Sequence, residues 1–271
     1  MMMKMAGKSK INSGERLYPE TADVIDVEMK DQFDRYVLAA QYAKGAECLD
    51  AACGAGYGTK MLSSVARQVL GLDFSDEALA HAHANYSAGN VQFRQADLNQ
   101  ALALESDRFD LVVSFETIEH LHHQQQLVKE FHRILRPGGV LIMSSPNGTV
   151  TRLTNEPPNP FHIHELSNRE LSDILTGNCF RQEALYGQWR YTHVDKPSLV
   201  RGKGFKAILN ATYLAARNLK RFKIIVGFAR RIKVAERFSS FIGQAKYVPL
   251  QRISSDLADS YKVLIAVARK Q

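Results

Sequence analysis

Cysteine is scarce in this sequence: only Cys48, Cys53 and Cys179 occur, without a repeated spacing. This scarcity argues against a disulfide framework and against a structural zinc site. Long apolar runs are also lacking, since no stretch approaches the roughly 18 apolar residues of a membrane span. Residues 1–10 carry lysines without the apolar core of a signal peptide, which predicts a cytoplasmic protein.

Acidic residues are almost absent from one part of the chain. Residues 196–252 hold 14 Lys and Arg residues and a single acid, Glu236, whereas the remainder holds 21 basic and 27 acidic residues. The basic segment carries helical apolar stripes. It predicts peripheral contact with an anionic membrane, contact with the phosphates of a nucleotide sugar or of nucleic acid, or a solvated helical cap.

What the sequence does contain is a regular alternation of strand-like and helical patterns from residue 27 onward. This alternation predicts an α/β fold with a doubly wound, seven-stranded and mostly parallel sheet. The predicted organisation is an N-terminal tail or lid over residues 1–26, a core over 27–195, a basic helical insertion over 196–252, and the last strand of the core within 253–271.

Three glycines at alternate positions, Gly54, Gly56 and Gly58, follow an apolar strand that ends near Asp50. Glycine lets the backbone turn sharply and approach a ligand closely, and the helix predicted to follow presents free N–H groups. The dinucleotide fingerprint Gly-x-Gly-x-x-Gly needs its third glycine at position 59, where this chain has Thr59. The turn therefore favours an adenosyl cofactor without phosphates.

Acidic residues close three of the predicted strands, at Asp50, Asp73 and Asp97. In an open parallel sheet, ligands bind outside the carboxyl ends of the strands, so these side chains are expected to lie near the glycine turn. The carboxylate of Asp73 would accept hydrogen bonds from two vicinal ribose hydroxyls. The sequence thus predicts a nucleoside site at this edge of the sheet.

Five motifs, taken in order, resemble those of class I S-adenosylmethionine-dependent methyltransferases, which have a Rossmann-like fold. The resemblance covers about residues 15–190 plus the last strand, and rests on the glycine turn, Asp73, Asp97, the strand 109–114 and the turn 135–139. It implies S-adenosyl-L-methionine as the cofactor. The residues implied in binding it are Asp50, Ala52, Gly54, Gly56, Asp73, Phe74, Asp97, Leu98 and Phe115.

A narrower resemblance, to methyltransferases of bacterial polysaccharide and O-antigen biosynthesis clusters, rests on other segments. These are residues 14–20, 35–36, 114–120, 145–147 and 159–166. The resemblance implies O-methylation of a sugar, glycan or glycolipid acceptor. The chain departs from that group at Ala55, where the group usually has Glu, and residues 196–252 have no counterpart there.

Methyl transfer to a hydroxyl requires alignment of the oxygen with the methyl group and removal of the hydroxyl proton. His120, just beyond the fourth strand, is the predicted base, and Glu116 is the second predicted catalytic residue. The pattern Glu116-x-x-Glu119-His120, together with His162, also resembles the metal ligands of ubiquinone-biosynthesis O-methyltransferases and small-RNA 2′-O-methyltransferases. It implies Mg²⁺ or another divalent cation. The alternative is that Glu119 and His120 only hold the loop.

Other functions fit the same motifs. A quinone- or phenol-type O-methyltransferase would use the same cofactor half, and an RNA methyltransferase would add the basic residues of 196–252. A non-catalytic binding module is disfavoured because the chain keeps both the glycine turn and Asp73. The leading prediction is a sugar or glycan O-methyltransferase, cytoplasmic or peripheral at the inner face of the membrane.

Overall fold

One sheet of eight strands organises the computed structural model, which describes residues 27–154, 159–190 and 251–271. The strands are β1 Glu47–Ala51, β2 Gln68–Asp73, β3 Val91–Gln95, β4 Phe109–Ser114, β5 Leu135–Pro146, β6 Phe180–Arg190, β7 Gln251–Ile253 and β8 Tyr261–Lys270. Their order across the sheet is β3-β2-β1-β4-β5-β8-β6-β7.

The first five strands run parallel, whereas β8 is antiparallel to both of its neighbours, β5 and β6. The strand order reverses between β1 and β4, because the chain returns from β3 to the other side of β1. Such a reversal leaves a crevice outside the carboxyl ends of the two strands, which is where open sheets of this kind bind ligands.

Six α-helices connect these strands within the described residues: α1 Val27–Ala40, α2 Tyr57–Ser63, α3 Asp76–Tyr86, α4 Gln124–Ile134, α5 Gly148–Thr154 and α6 Asn168–Gly177. Their starts follow from local chemistry. The Ser75 hydroxyl accepts a hydrogen bond from the backbone N–H of Ala78 and caps α3. Ser167 and Glu170 form a capping box at the start of α6.

The sheet separates two apolar layers. Leu49 and Leu72 lie in one layer with Phe131 of α4, whereas Cys48 and Val69 lie in the other with Tyr36 of α1. Successive residues of a strand point to opposite faces, so a strand covered on both sides is apolar along its whole length. This explains the continuous apolar runs in the sequence.

The amino-terminal edge of the sheet is held by ion pairs. Glu47 accepts hydrogen bonds from Arg108 at 2.8 Å and from Arg67 at 3.2 Å, and Arg136 contacts Asp110 at 2.6 Å. The arginines hold the pKa of Glu47 below its usual value despite partial burial, and the Glu47 N–H and Arg136 do the same for Asp110. Both carboxylates are therefore stabilised as anions.

Asn147, buried after β5, ties the second half of the chain together. Its side-chain N–H₂ group donates to the carbonyls of Ala258 and Tyr261, each at 3.1 Å, and its backbone N–H donates to that of Lys262 at 2.7 Å. The segment that follows β5 is therefore anchored on the residues that lead into β8.

The predicted doubly wound, mostly parallel α/β fold is confirmed. The structure adds the short edge strand β7 to the seven predicted strands. The predicted tail over 1–26 and nearly all of the predicted basic insertion over 196–252 lie outside the described residues. None of the helices built by the described residues has the length and apolar character needed to cross a membrane.

Candidate functional site

The glycine turn connects β1 to α2 at the point where the strand order reverses. Ala52, Gly54 and Gly56 all have positive φ angles, of 66°, 54° and 90°. A Cβ on Gly56 would lie 2.6 Å from the Cβ of Ala82, whereas a Cβ on Gly54 would meet nothing within 4 Å. The turn thus packs closely on α3 on one side and faces open space on the other, which leaves room for a ligand.

Asp50 lies beneath this turn and is 1% exposed. Its carboxylate accepts a hydrogen bond from the Thr59 hydroxyl at 2.6 Å and from the Tyr36 hydroxyl at 3.1 Å. Burial raises the pKa of Asp50 to about 7; the two hydroxyls oppose this shift, and Asp73 adds to it. The structure therefore places Asp50 among buried groups, with its oxygens directed at Thr59 and Tyr36.

Asp73, at the end of β2, lies beside the open face of the turn. One carboxylate oxygen accepts a hydrogen bond from the Gly54 N–H and the other from the Ser75 N–H, both at 2.9 Å. The next residue, Phe74, is 68% exposed, an unusual position for a large apolar side chain. A carboxylate held by backbone and a ring open to solvent suit a sugar hydroxyl and a nucleobase face, respectively.

The remaining predicted cofactor residues follow β3 and β4. Asp97 is half-buried and accepts a hydrogen bond from the Asn99 N–H at 2.9 Å, and Leu98 is buried. Phe115 meets the ring of Tyr36 edge-on, with the ring centroids 5.0 Å apart. Strands β1 to β4 thus present the nine predicted cofactor residues along one edge of the sheet.

Glu116 differs from its prediction as a metal ligand. Its φ of 46° sets it before the short 3₁₀ helix Ile118–His120, so Glu116 and Glu119 do not share a helical face. Its Oε1 accepts a hydrogen bond from the Ser144 hydroxyl at 2.7 Å and forms an ion pair with Arg35 at 3.2 Å. A buried guanidinium favours a carboxylate partner, and among the described residues Glu116 is not part of the cluster that the other three predicted ligands form.

Glu119, His120 and His162 come together instead. One potential ligand atom from each lies within 4.8 Å of the others, and Nε2 of His120 is 4.0 Å from Oε1 of Glu119. Glu119 is fully buried, and neither of its carboxylate oxygens has a hydrogen-bond partner among the described residues. Burial raises its pKa well above the ordinary value, and the charge of Glu116 adds to this. An unpartnered buried carboxyl group needs a proton or a cation.

Both imidazoles are oriented by further contacts. Nδ1 of His120 lies 3.0 Å from the carbonyl oxygen of Phe161, and Nδ1 of His162 lies 2.5 Å from Oε1 of Glu165. A carbonyl oxygen only accepts hydrogen bonds, so this contact assigns a proton to Nδ1 of His120, and in the neutral form of the ring Nε2 carries the lone pair. A base at this position would therefore act through Nε2.

Sequence reasoning missed Arg35, Tyr36 and Ser144. Arg35 and Tyr36 lie on α1 and reach the site only through long-range packing, as the 2.7 Å bond from Arg35 to Gln188 of β6 shows. The one available signal was the Arg-Tyr pair, which belongs to the segments that carry the narrower resemblance. Ser144 lies on β5, where its hydroxyl faces Glu116.

Known proteins resemble this chain in sequence. Residues 49–143 match the model of a methyltransferase domain family. A probable S-adenosylmethionine-dependent methyltransferase of Mycolicibacterium smegmatis is 40% identical over 56% of this chain and 58% of its own length. A similar protein of Mycobacterium tuberculosis is 36% identical over 65% of this chain and 63% of its own. A ubiquinone biosynthesis O-methyltransferase of Sinorhizobium fredii is 32% identical over 44% of this chain and 49% of its own.

The fold agrees with these relatives. A crystal structure of an S-adenosylmethionine-dependent methyltransferase from Mesorhizobium loti superposes with a TM-score of 0.55 at 18% identity, over 93% of this chain and all of the other. The chain spans about half to three fifths of the length of the curated relatives it matches. Residues 49–143 thus match a methyltransferase domain, and the described residues have the Rossmann-like fold of the solved S-adenosylmethionine-dependent methyltransferase.

Proposed function

We propose that this protein transfers a methyl group from S-adenosylmethionine to a hydroxyl oxygen of a sugar, glycan or glycolipid acceptor. The observation that carries the proposal is the unpartnered, buried carboxyl group of Glu119 beside His120 and His162. Glu119 follows β4 in the chain and comes shortly after Phe115, which is the last of the predicted cofactor residues. Such a cluster suits the removal of a proton from an acceptor hydroxyl group.

The cofactor half fits the geometry of the turn. The open face at Gly54 would receive the methionyl part and the sugar, Asp73 the ribose hydroxyls, and Phe74 with Leu98 the two faces of the adenine. Carboxylate oxygens accept more than one hydrogen bond, so the bonds from Gly54 and Ser75 leave Asp73 able to bind hydroxyls. When bound, the cofactor supplies an electrophilic methyl group on a sulfonium.

His120 would act on the acceptor. Its Nε2 lone pair would accept the hydroxyl proton while the oxygen attacks the methyl group in line with the sulfur. A positioned base contributes about 10²–10⁴-fold, and alignment of the reacting atoms adds up to roughly 7–11 kcal/mol. The buried carboxyl group of Glu119 lies 4.0 Å from Nε2 of His120.

A divalent cation is the alternative to His120 as the base, because it would take the same Nε2 lone pair. Glu119, His120 and His162 would hold it, and a bound cation lowers the pKa of a coordinated hydroxyl and orients its oxygen. One carboxylate with two imidazoles suits Mn²⁺ or Zn²⁺ better than Mg²⁺. Removal of metal with a chelator should abolish turnover, and Mn²⁺ should restore it; full turnover in excess chelator would leave His120 as the unaided base.

A second acceptor class, a phenol, is favoured by the relatives named as ubiquinone biosynthesis O-methyltransferases. The test is turnover of S-adenosylmethionine with methyl glycosides, nucleotide sugars and 3,4-dihydroxybenzoate, with mass spectrometry of the products. A methylated glycoside or nucleotide sugar would support the glycan acceptor, and a methylated dihydroxybenzoate the phenol. The Asp73→Ala variant is the control, since it should lose cofactor affinity with every acceptor.

The basic segment 196–252 completes the proposal as a docking element for an anionic membrane surface. Its 14 basic residues and single acid carry this part of the proposal, at about 1 kcal/mol for each Lys or Arg near the surface. Flotation with vesicles that contain phosphatidylglycerol should recover the protein, and vesicles of phosphatidylcholine alone should not. Equal recovery with both would count against docking and leave the cytoplasm as the site of action.

A further inference from the structure

Tyr36 of α1 connects three parts of the cofactor half. Its hydroxyl donates to the carboxylate of Asp50, and its ring lies so close to Gly58 that a Cβ there would come within 1.9 Å of the ring carbon Cζ. The ring also meets those of Phe115 and Tyr57 edge-on. A helix that precedes the sheet in the chain therefore contacts the turn, the start of α2 and the residue after β4.

Thr59 reaches the same carboxylate from the other side. Its hydroxyl donates to Oδ2 of Asp50 at 2.6 Å, and the side chain is completely buried. Gly71 of β2 provides the space, because a Cβ there would lie 2.9 Å from the Thr59 hydroxyl. The residue that replaces the third glycine of the dinucleotide fingerprint is thus a donor to Asp50.

We propose that Tyr36 and Thr59 are positioning residues for the cofactor, which act by holding the carboxylate of Asp50 beneath the glycine turn. Asp50 in this role supports the turn and the start of α2 and does not itself contact the cofactor. The inference rests on the cofactor half of the proposed function. It assigns to α1 a part in cofactor binding that the motifs of the turn do not contain.

The physical reason lies in the stiffness that the two bonds impose. Ala52, Gly54 and Gly56 hold left-handed conformations, which are strained for Ala52 and entropically costly for the glycines. Asp50 lies two residues before Ala52, so a fixed carboxylate limits how far the strand end can move relative to α2. A turn held in its binding conformation before the cofactor arrives binds more tightly, because less ordering remains to be done.

The protonation state of Asp50 gives this role a signature. Both hydroxyls donate hydrogen bonds, so the arrangement suits the ionised carboxylate of Asp50. Burial raises the pKa of this carboxylate to about 7. The titratable groups that face Asp50 are Tyr36, Tyr57, Cys48, Cys53 and Asp73. Burial raises the pKa of both tyrosines and both cysteines further above neutrality. Cofactor affinity should therefore fall as the pH is lowered through about 7.

The probe is S-adenosylhomocysteine, with its affinity for the full chain measured by calorimetry. Thr59→Val keeps the side-chain shape and removes the hydroxyl, and Tyr36→Phe keeps the ring. Each should weaken binding about tenfold, as the loss of one hydrogen bond to a charged group implies. Thr59→Ser should recover affinity to within about threefold of the parent. Tyr42→Phe, at a half-buried tyrosine after α1, is the matched control and should not change it.

Two further results separate positioning from general damage. The Tyr36→Phe/Thr59→Val double variant should bind no more weakly than Asp50→Asn, because all three substitutions remove the same support. Asp50→Asn should also lose the decline in affinity below pH 7. Weaker binding by the double variant than by Asp50→Asn would overturn the inference, and so would a decline in affinity below pH 7 that persists in Asp50→Asn. Absence of binding by the parent protein would instead overturn the cofactor half of the proposed function, and this inference with it.

Discussion

The two edges of the sheet place carboxylates in opposite environments. At the amino-terminal edge, Glu47 and Asp110 contact arginines and their pKa values are lowered. At the carboxyl-terminal edge, burial raises the pKa values of Asp50 and Glu119. Glu47 and Asp50 belong to the same five-residue strand, so the difference comes from their partners and not from the element that carries them.

The comparison shows where stability and chemistry are located in this fold. Ion pairs at the amino-terminal edge satisfy their carboxylates and hold the ends of β1 and β4. Among the described residues, the buried acids Asp50 and Glu119 at the opposite edge form no ion pair with Lys or Arg, an arrangement that costs stability and is typical of functional sites. Within that edge, Asp50 has two donors, whereas Glu119 has none among the described residues.

The largest effect is expected at Glu119. Glu119→Gln keeps the size of the buried side chain but removes its ability to ionise, and it should reduce methyl transfer about 10²–10³-fold, because the cluster with His120 and His162 loses its carboxyl group or the metal a ligand. Affinity for S-adenosylhomocysteine should stay within about twofold of the parent, since the cofactor half is untouched. Steady-state kinetics and calorimetry measure the two quantities. A parallel loss of both would show that the two halves are not separable.

Gly56→Ala should disrupt the turn itself. The added Cβ would lie 2.6 Å from Ala82 at a φ of 90°, so the free energy of unfolding should fall by about 3 kcal/mol. Gly54→Ala is the matched variant, because its Cβ would meet nothing within 4 Å, and it should lose only about 1 kcal/mol. Urea denaturation distinguishes them. Equal losses would contradict the close packing of the turn on α3.

Arg35→Met should affect the acceptor half at a smaller cost. It leaves Glu116 and Gln188 without their buried guanidinium, and the free energy of unfolding should fall by about 2 kcal/mol. The KM for the acceptor should rise while that for S-adenosylmethionine stays constant. Arg169→Met, which removes an exposed pair with Asp173, is the control and should change neither quantity.

A further prediction compares the two edges directly through pH. Glu47 has a lowered pKa, so the stability that the parent has over Glu47→Gln should be present above pH 4.5 and lost as the pH falls below it. Asp50 has a raised pKa, so the stability of the parent relative to Asp50→Asn should fall as the pH rises from about 4 to about 7. The change at Asp50 should be about 4 kcal/mol, because its pKa rises from about 4 to about 7, and the change at Glu47 should be smaller. Slopes of the same sign in urea titrations would refute the comparison.

The sequence predicts most of the cofactor half because that half is local. The glycine turn, Asp73 and Asp97 each follow a recognisable strand, and parallel strands bring their carboxyl ends to one edge. The acceptor half depends on long-range contacts and on backbone conformation. A pattern of apolar residues does not reveal the positive φ of Glu116 or the approach of Arg35 from α1. The sequence therefore predicts four metal ligands, whereas three of these residues form a cluster in the structure.

The position of β8 has a consequence for the order in which the protein can fold during synthesis. Strands β1 to β4 and the turn are complete once residue 114 has left the ribosome. β5 and β6 cannot join until residues 261–270 are made, because β8 lies between them. The hydrogen bonds that Asn147 donates to Ala258 and Tyr261 also form only after those residues have been made. All of the predicted cofactor residues are therefore synthesised well before the strand that joins β5 to β6.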